Sequence, residues 1–157
     1  MTLRSLPDNH AQVDYHATLG EDLVETYARL VVILEEDWDV DVFETDDLDV
    51  DGDSVYGFYS FSKRRIGIRR KLSYNMKLET LLHETGHFFA PRVLEGIEPE
   101  NEVFAEAVAF QVMRELNLPI GSQSLVYLAG LREKWSTIER CRDYYDEVVA
   151  LLVKELK

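Results

Sequence analysis

The motif HETGH at residues 83–87 limits the fold of this chain more than any other feature of its sequence. Apolar residues recur around it at helical spacing, at Leu78, Leu81, Leu82 and Phe89. The pattern predicts a helix over about residues 75–90, which Pro91 ends. Side chains four positions apart share one face of a helix, so His83 and His87 can bind a single Zn²⁺.

Glu84 stands next to the first of these histidines, where general-base chemistry needs a carboxylate. From there it can accept a proton from metal-bound water. Zinc lowers the pKa of bound water from about 15.7 towards 7, which makes hydroxide available at neutral pH. The motif therefore predicts a zinc-dependent endopeptidase that acts on a protein or peptide substrate. The alternative interpretation is an ordinary helix with two partly buried histidines and a surface glutamate.

A third metal ligand is expected on the next predicted helix, over about residues 100–117. Glu102 and Glu106 lie one helical turn apart there, among apolar residues, and buried carboxylates need a partner such as a metal. We favour Glu102 as the ligand and Glu106 as the outer carboxylate that orients a ligand imidazole, and the reverse assignment stays open. Ala105 and Ala109 allow this helix to approach the HETGH helix closely.

The remaining patterns predict one α+β domain that spans residues 1–157, with a small antiparallel sheet packed against the HETGH helix and several further helices. A capping box at Thr18 and Glu21 opens the first helix. The other expected segments are an irregular arm (1–17), the first helix (19–36), an edge strand (39–43), a hairpin (56–61 and 65–69), and C-terminal helices from about 122 with a break near 140–143.

Composition narrows the class of protein. A single cysteine excludes a disulfide framework, and no apolar run approaches the roughly 18–20 residues of a membrane span. The N-terminus shows no signal-peptide pattern, so we expect a cytoplasmic protein. The 17 Lys and Arg against 30 Asp and Glu give a net charge of −13, which makes direct nucleic-acid binding an unfavourable interpretation.

The charges are unevenly distributed along the chain. Residues 35–53 hold eleven Asp or Glu and no Lys or Arg, whereas residues 63–71 hold six of the 17 basic residues. A basic patch of this kind could bind an acidic peptide or phosphates. We favour an internal role, in which the cations face the acidic run across the sheet.

Residues from Tyr56 to about Trp135 resemble the ImmA/IrrE-type minimal zinc metallopeptidases. The shared order is a hairpin, GFYSFSKRRIGI, then the LLHETGH helix and a Glu-x-x-Ala helix. The stretch EVFAEAVAFQVMRELNLPIGSQSLVYLAGL is closer still to the metallopeptidase domain of ArdC-type antirestriction proteins. The resemblance covers about half the chain. It implies a zincin-like fold with Zn²⁺ on His83, His87 and Glu102.

The resemblance also implies Glu84 as the base, and it draws attention to Tyr127. Tyr127 lies in the Tyr-Leu segment of the family pattern, so it is our candidate for stabilising the oxyanion. A packing role is the alternative. Two departures stand out: ImmA/IrrE members usually carry Asn where this chain has Glu106, and the chain has no room for the DNA-binding domain of ArdC-type proteins.

A second class of function stays open. The chain could keep a zincin scaffold as a binding or structural protein without proteolysis, for example an antirestriction, DNA-mimic or phage-type interaction module. The C-terminal residues Tyr145, Val148, Val149, Leu152, Val153 and Leu156 form a broad apolar helix face. Core packing is its simplest role, and a dimer or partner surface is the alternative.

Overall fold

The computed structural model describes residues 2–5, 16–50, 53–94, 98–119 and 135–157, and it has the predicted α+β class. The elements in chain order are β1 (Thr2–Ser5), α1 (His16–Val32), β2 (Asp41–Thr45), β3 (Asp49–Val50), β4 (Asp53–Ser60), β5 (Arg65–Arg69), α2 (Tyr74–Phe89), α3 (Glu98–Glu115), α4 (Trp135–Arg140) and α5 (Arg142–Leu156). A π-helical turn, Ile33–Asp37, follows α1, and a 3-10 turn, Arg92–Leu94, precedes α3.

The sheet is mixed, so the prediction of an antiparallel sheet was wrong. Its strand order is β1-β4-β5-β2, and β3 pairs with β4. The hairpin of β4 and β5 is confirmed, but β2 runs parallel to β5, with Asp41 opposite Arg65 and Thr45 opposite Arg69. An alternating pattern predicts that a segment is a strand, but it does not predict whether the neighbouring strand runs parallel or antiparallel to it. That direction depends on packing between segments that are distant in the sequence.

The N-terminal predictions also need correction. Residues 2–5 form β1, which pairs antiparallel with β4, rather than part of an irregular arm. The helix that was expected to open at a Thr18 capping box begins at His16, which places Thr18 inside α1. β1 was not predicted because this four-residue edge strand pairs with a strand that lies fifty or more residues away in the sequence.

α2 is the central element of the fold, since it packs against β4, β5, α1 and α3. Its N-terminus is capped by Ser73, whose hydroxyl accepts a hydrogen bond from the Met76 amide. Every side chain from Lys77 to His87 is buried. Gly57 on β4 makes room for the helix, because a Cβ there would lie 2.7 Å from Cγ2 of Thr80. The HETGH motif therefore lies within the core.

The basic residues of 63–71 mainly serve the internal role that the sequence favoured. Arg64 donates hydrogen bonds to the carbonyls of Trp38 and Asp39. Arg69 donates to three further carbonyls, those of Asp46, Leu48 and Val55. Four of these five hydrogen bonds join Arg64 and Arg69 to the acidic residues 35–53, so these two cations stabilise the fold.

The described parts of the C-terminal half, residues 98–119 and 135–157, follow their sequence signals, and the helix predicted from about residue 122 lies outside the described residues up to 134. α3 ends in a Schellman motif: Asn117 has φ 55°, its amide donates to the Arg114 carbonyl, and the amide of Leu118 donates to Met113. The predicted break falls at Cys141, between α4 and α5. Most of the apolar face of α5 lies in the core, as expected from core packing. A dimer or partner at this helix stays a prediction.

Within the described residues, no helix combines the length and apolar character needed to cross a membrane.

Candidate metal centre

Three side chains from α2 and α3 converge on one point. The Nε2 atom of His83 lies 2.8 Å from Oε1 of Glu102, and Nε2 of His87 lies 3.0 Å from Oε2 of the same carboxylate. The two Nε2 atoms are 3.0 Å apart. Within the described part of the chain, these residues form the one group of His, Cys, Asp or Glu suited to hold a metal ion.

The donor set fits zinc. Two imidazole nitrogens and one carboxylate oxygen match the three protein ligands of catalytic zinc sites, which leave a fourth position for water or substrate. Tetrahedral zinc with bonds of about 2.0–2.1 Å holds its ligand atoms roughly 3.3 Å apart. The observed separations of 2.8–3.0 Å need only a small expansion to reach that value.

The far nitrogen of each imidazole is also held. Nδ1 of His83 lies 2.7 Å from Oε2 of Glu106, and Nδ1 of His87 lies 2.6 Å from Oδ1 of Asn101. An oxygen acceptor at Nδ1 favours the tautomer that carries its proton there, which leaves Nε2 free to bind a metal. Ligand histidines are commonly oriented by outer partners of this kind.

The close approach of α2 and α3 depends on Gly86, the fourth residue of the motif. A Cβ at this position would lie 2.7 Å from the Cα and 2.9 Å from the carbonyl oxygen of Ala105. Both distances are shorter than real Cβ contacts, so only glycine fits. The predicted close approach of the two helices is therefore present, and it brings the carboxylates of α3 to the histidines of α2.

The electrostatics of the group favour a cation. Burial alone lowers the pKa of His83, but the charges and hydrogen bonds of Glu102 and Glu106 outweigh it and raise that pKa to about 10. Burial would raise the pKa of Glu102, yet His83 and His87 hold it well below its usual range. Glu102 is therefore ionised at neutral pH. Because its pKa is raised, His83 carries a second proton at neutral pH, and a metal ion that binds both Nε2 atoms must displace that proton.

Glu84 lies in the interior, with no exposed surface. Its side chain belongs to the fully buried stretch of α2, beside the first ligand histidine in the chain. This carboxylate cannot be reached from solvent, so any reactant on which it acts must lie inside the protein. The catalytic role predicted for Glu84 stays a prediction.

The structure gathers five of the six predicted site residues on two adjacent helices, namely His83, Glu84, His87, Glu102 and Glu106. Tyr127, the sixth, lies outside the described residues. The geometry agrees with the favoured assignment, because Glu102 faces both Nε2 atoms and Glu106 faces Nδ1 of His83. Sequence reasoning missed Asn101. The sequence signal available for a role at the site was its position directly before Glu102, the favoured third ligand.

Comparisons of the chain with known protein families, with curated proteins and with solved structures find no match.

Proposed function

We propose that this protein is a zinc-dependent endopeptidase with a zincin-like site. The observation that carries the proposal is the convergence of one ligand atom each from His83, His87 and Glu102 within 4.8 Å of one another. Glu84 follows His83 directly in the sequence. The sequence resemblance to ImmA/IrrE-type and ArdC-type metallopeptidases, which includes these residues, also supports the proposal. The same resemblance suggests a narrow substrate list, such as one regulatory protein.

The residues would divide the chemistry as follows. His83, His87 and Glu102 would hold Zn²⁺, and Glu106 would orient the imidazole of His83. Zinc, when bound, supplies a Lewis acid that polarises the scissile carbonyl and activates water. Glu84 accepts the proton of the attacking water on its carboxylate and returns it to the leaving amine.

A second function is favoured by one feature of the site. His83 and Glu84 have no exposed surface, and His87 is 5% exposed, whereas a peptidase must admit an extended substrate. A metal that only joins two helices needs no such access. The second proposal is therefore a binding or structural protein in which the metal joins α2 to α3.

Glu84→Gln separates these two proposals. The variant keeps the shape of the side chain and all three ligands, so it should bind about one zinc per chain like the wild type. Proteolysis should fall by at least about a hundredfold, because general-base catalysis contributes roughly 10²–10⁴-fold. Wild type and variant are each incubated with a proteome-derived peptide mixture, and the new N-termini are labelled and counted.

Glu115→Gln is the matched control. It makes the same change on α3, at a residue that accepts a hydrogen bond from Gln111 and lies more than three helical turns from Glu102. Its cleavage should equal that of the wild type once folding is matched. Equal cleavage by Glu84→Gln and wild type would contradict the assigned base. Zinc binding without cleavage by the wild type would favour the structural proposal.

A further inference from the structure

We infer that Asn101 is a positioning residue for the metal centre: its Oδ1 accepts the Nδ1 proton of His87 and thereby presents Nε2 as a ligand. The inference rests on the zinc site of the proposed function, but it does not depend on peptidase activity. The contact is short, at 2.6 Å, and it joins the first turn of α3 to the end of the HETGH motif.

The two histidines are held by chemically different partners. His83 faces the carboxylate of Glu106, which is 2% exposed, whereas His87 faces the neutral amide of Asn101. Glu102 and Glu106 already place two carboxylates on the ligand imidazoles, and Glu84 is a third carboxylate of the predicted site. A neutral acceptor fixes the second ring without adding another negative charge. Asn101 can thus orient a ligand and leave the charge balance of the site unchanged.

Asn101 also couples a ligand to its neighbour along the chain. Glu102 follows it directly and contacts both Nε2 atoms. One short segment of α3 therefore contributes a metal ligand and the acceptor that orients another ligand. Loss of the Asn101 amide should release the His87 ring and leave Glu102 in place.

The test compares Asn101→Leu with Asn101→Asp. Leucine preserves the size of the side chain and removes the acceptor, so zinc affinity should fall about 10–100-fold, the usual effect of losing an outer partner. Aspartate restores an oxygen acceptor and should keep the affinity within about threefold of the wild type or raise it. Affinity is measured by competition with a chelator of known strength.

Gln111 supplies the matched controls, since it is a second half-buried amide on α3 and bonds to Glu115, away from the histidines. Gln111→Leu should leave zinc affinity unchanged. Gln111→Glu adds the same charge as Asn101→Asp, so it shows how much of any rescue is general electrostatics. The second readout is the ¹H–¹⁵N spectrum of the zinc-loaded protein, in which the Nδ1 proton of His87 should exchange slowly with solvent in the wild type and much faster in Asn101→Leu, where no acceptor holds it.

Zinc affinity in Asn101→Leu equal to that of the wild type would overturn the positioning role, as would equal losses in Asn101→Leu and Asn101→Asp. Either result would leave the zinc peptidase proposal intact. A wild-type protein that binds no zinc would overturn both. A zinc-binding protein that loses affinity in Asn101→Leu but cleaves no peptide would support the positioning role and contradict the peptidase proposal.

Discussion

Gly86→Ala should impair the metal centre more than the fold. The added Cβ would lie 2.7 Å from Cα of Ala105, whereas ordinary contacts begin at 3.4 Å. The two helices must therefore separate locally by about 0.7 Å, the difference between these distances. Added to the present separations of 2.8 and 3.0 Å, this displacement would place the Glu102 oxygens about 3.5–3.7 Å from the two Nε2 atoms, beyond the roughly 3.3 Å that tetrahedral zinc requires.

The effects on stability partly cancel. Overpacking of a filled core costs about 1–3 kcal/mol, and alanine is better than glycine inside a helix by roughly 1 kcal/mol. The metal-free variant should lose no more than about 2 kcal/mol in its free energy of unfolding. Zinc affinity should fall at least about tenfold, or roughly 1.4 kcal/mol, by analogy with the loss of an outer partner. Chelator competition and denaturant unfolding of the metal-free protein measure the two quantities.

The double variant Gly86→Ala with Ala105→Gly tests the stated cause. The clashing atoms of Ala105 belong to its backbone, so removal of its Cβ should not restore zinc affinity. Wild-type zinc affinity in Gly86→Ala would refute the reasoning. Recovery in the double variant would show that the obstruction came from a side chain instead.

Two further predictions concern stability away from the metal. Burial and the neighbouring carboxylate of Glu44 raise the pKa of Tyr27, so the folded state keeps the hydroxyl proton that the unfolded chain loses above about pH 10. The free energy of unfolding should therefore fall as the pH rises above about 10. Urea unfolding between roughly pH 8 and 11 should show a smaller fall in Tyr27→Phe than in the wild type. An equal fall in the variant would exclude Tyr27 as a cause. Asn117 has φ 55°, so Asn117→Ala should lower the free energy of unfolding by about 1 kcal/mol, whereas Asn117→Gly should not lower it. Thermal unfolding measures both variants. Equal losses of stability would show that the backbone angle is not responsible.

Among the described residues, local signals were sufficient to predict most of the helices, although not the start of α1. Leu23, Tyr27, Leu30 and Leu34 recur at helical spacing and are buried, as the pattern of the first helix indicated. The end of α3 could also be predicted, because Asn117 tolerates the positive φ that terminates a helix and Pro119 follows two residues later. These features depend on neighbours within a few positions.

The sheet was less accessible to sequence reasoning. β1 and the parallel direction of β2 both result from pairing with distant strands. A strand of four or five residues carries too little pattern to identify its partner. The acidic and basic runs did indicate that β2 and the region of β5 would meet, but opposite charges attract whichever way the strands run.

The sequence by itself determined the HETGH helix and the placement of His83 and His87 on one of its faces, because i,i+4 geometry is fixed by the helix alone. Only the tertiary structure decided which oxygen meets which ring nitrogen. Glu102 faces both Nε2 atoms, while Glu106 and Asn101 face the Nδ1 atoms. Those contacts depend on the position and rotation of α3 against α2. The absence of a side chain at Gly86, in contact with the backbone of Ala105, allows that packing.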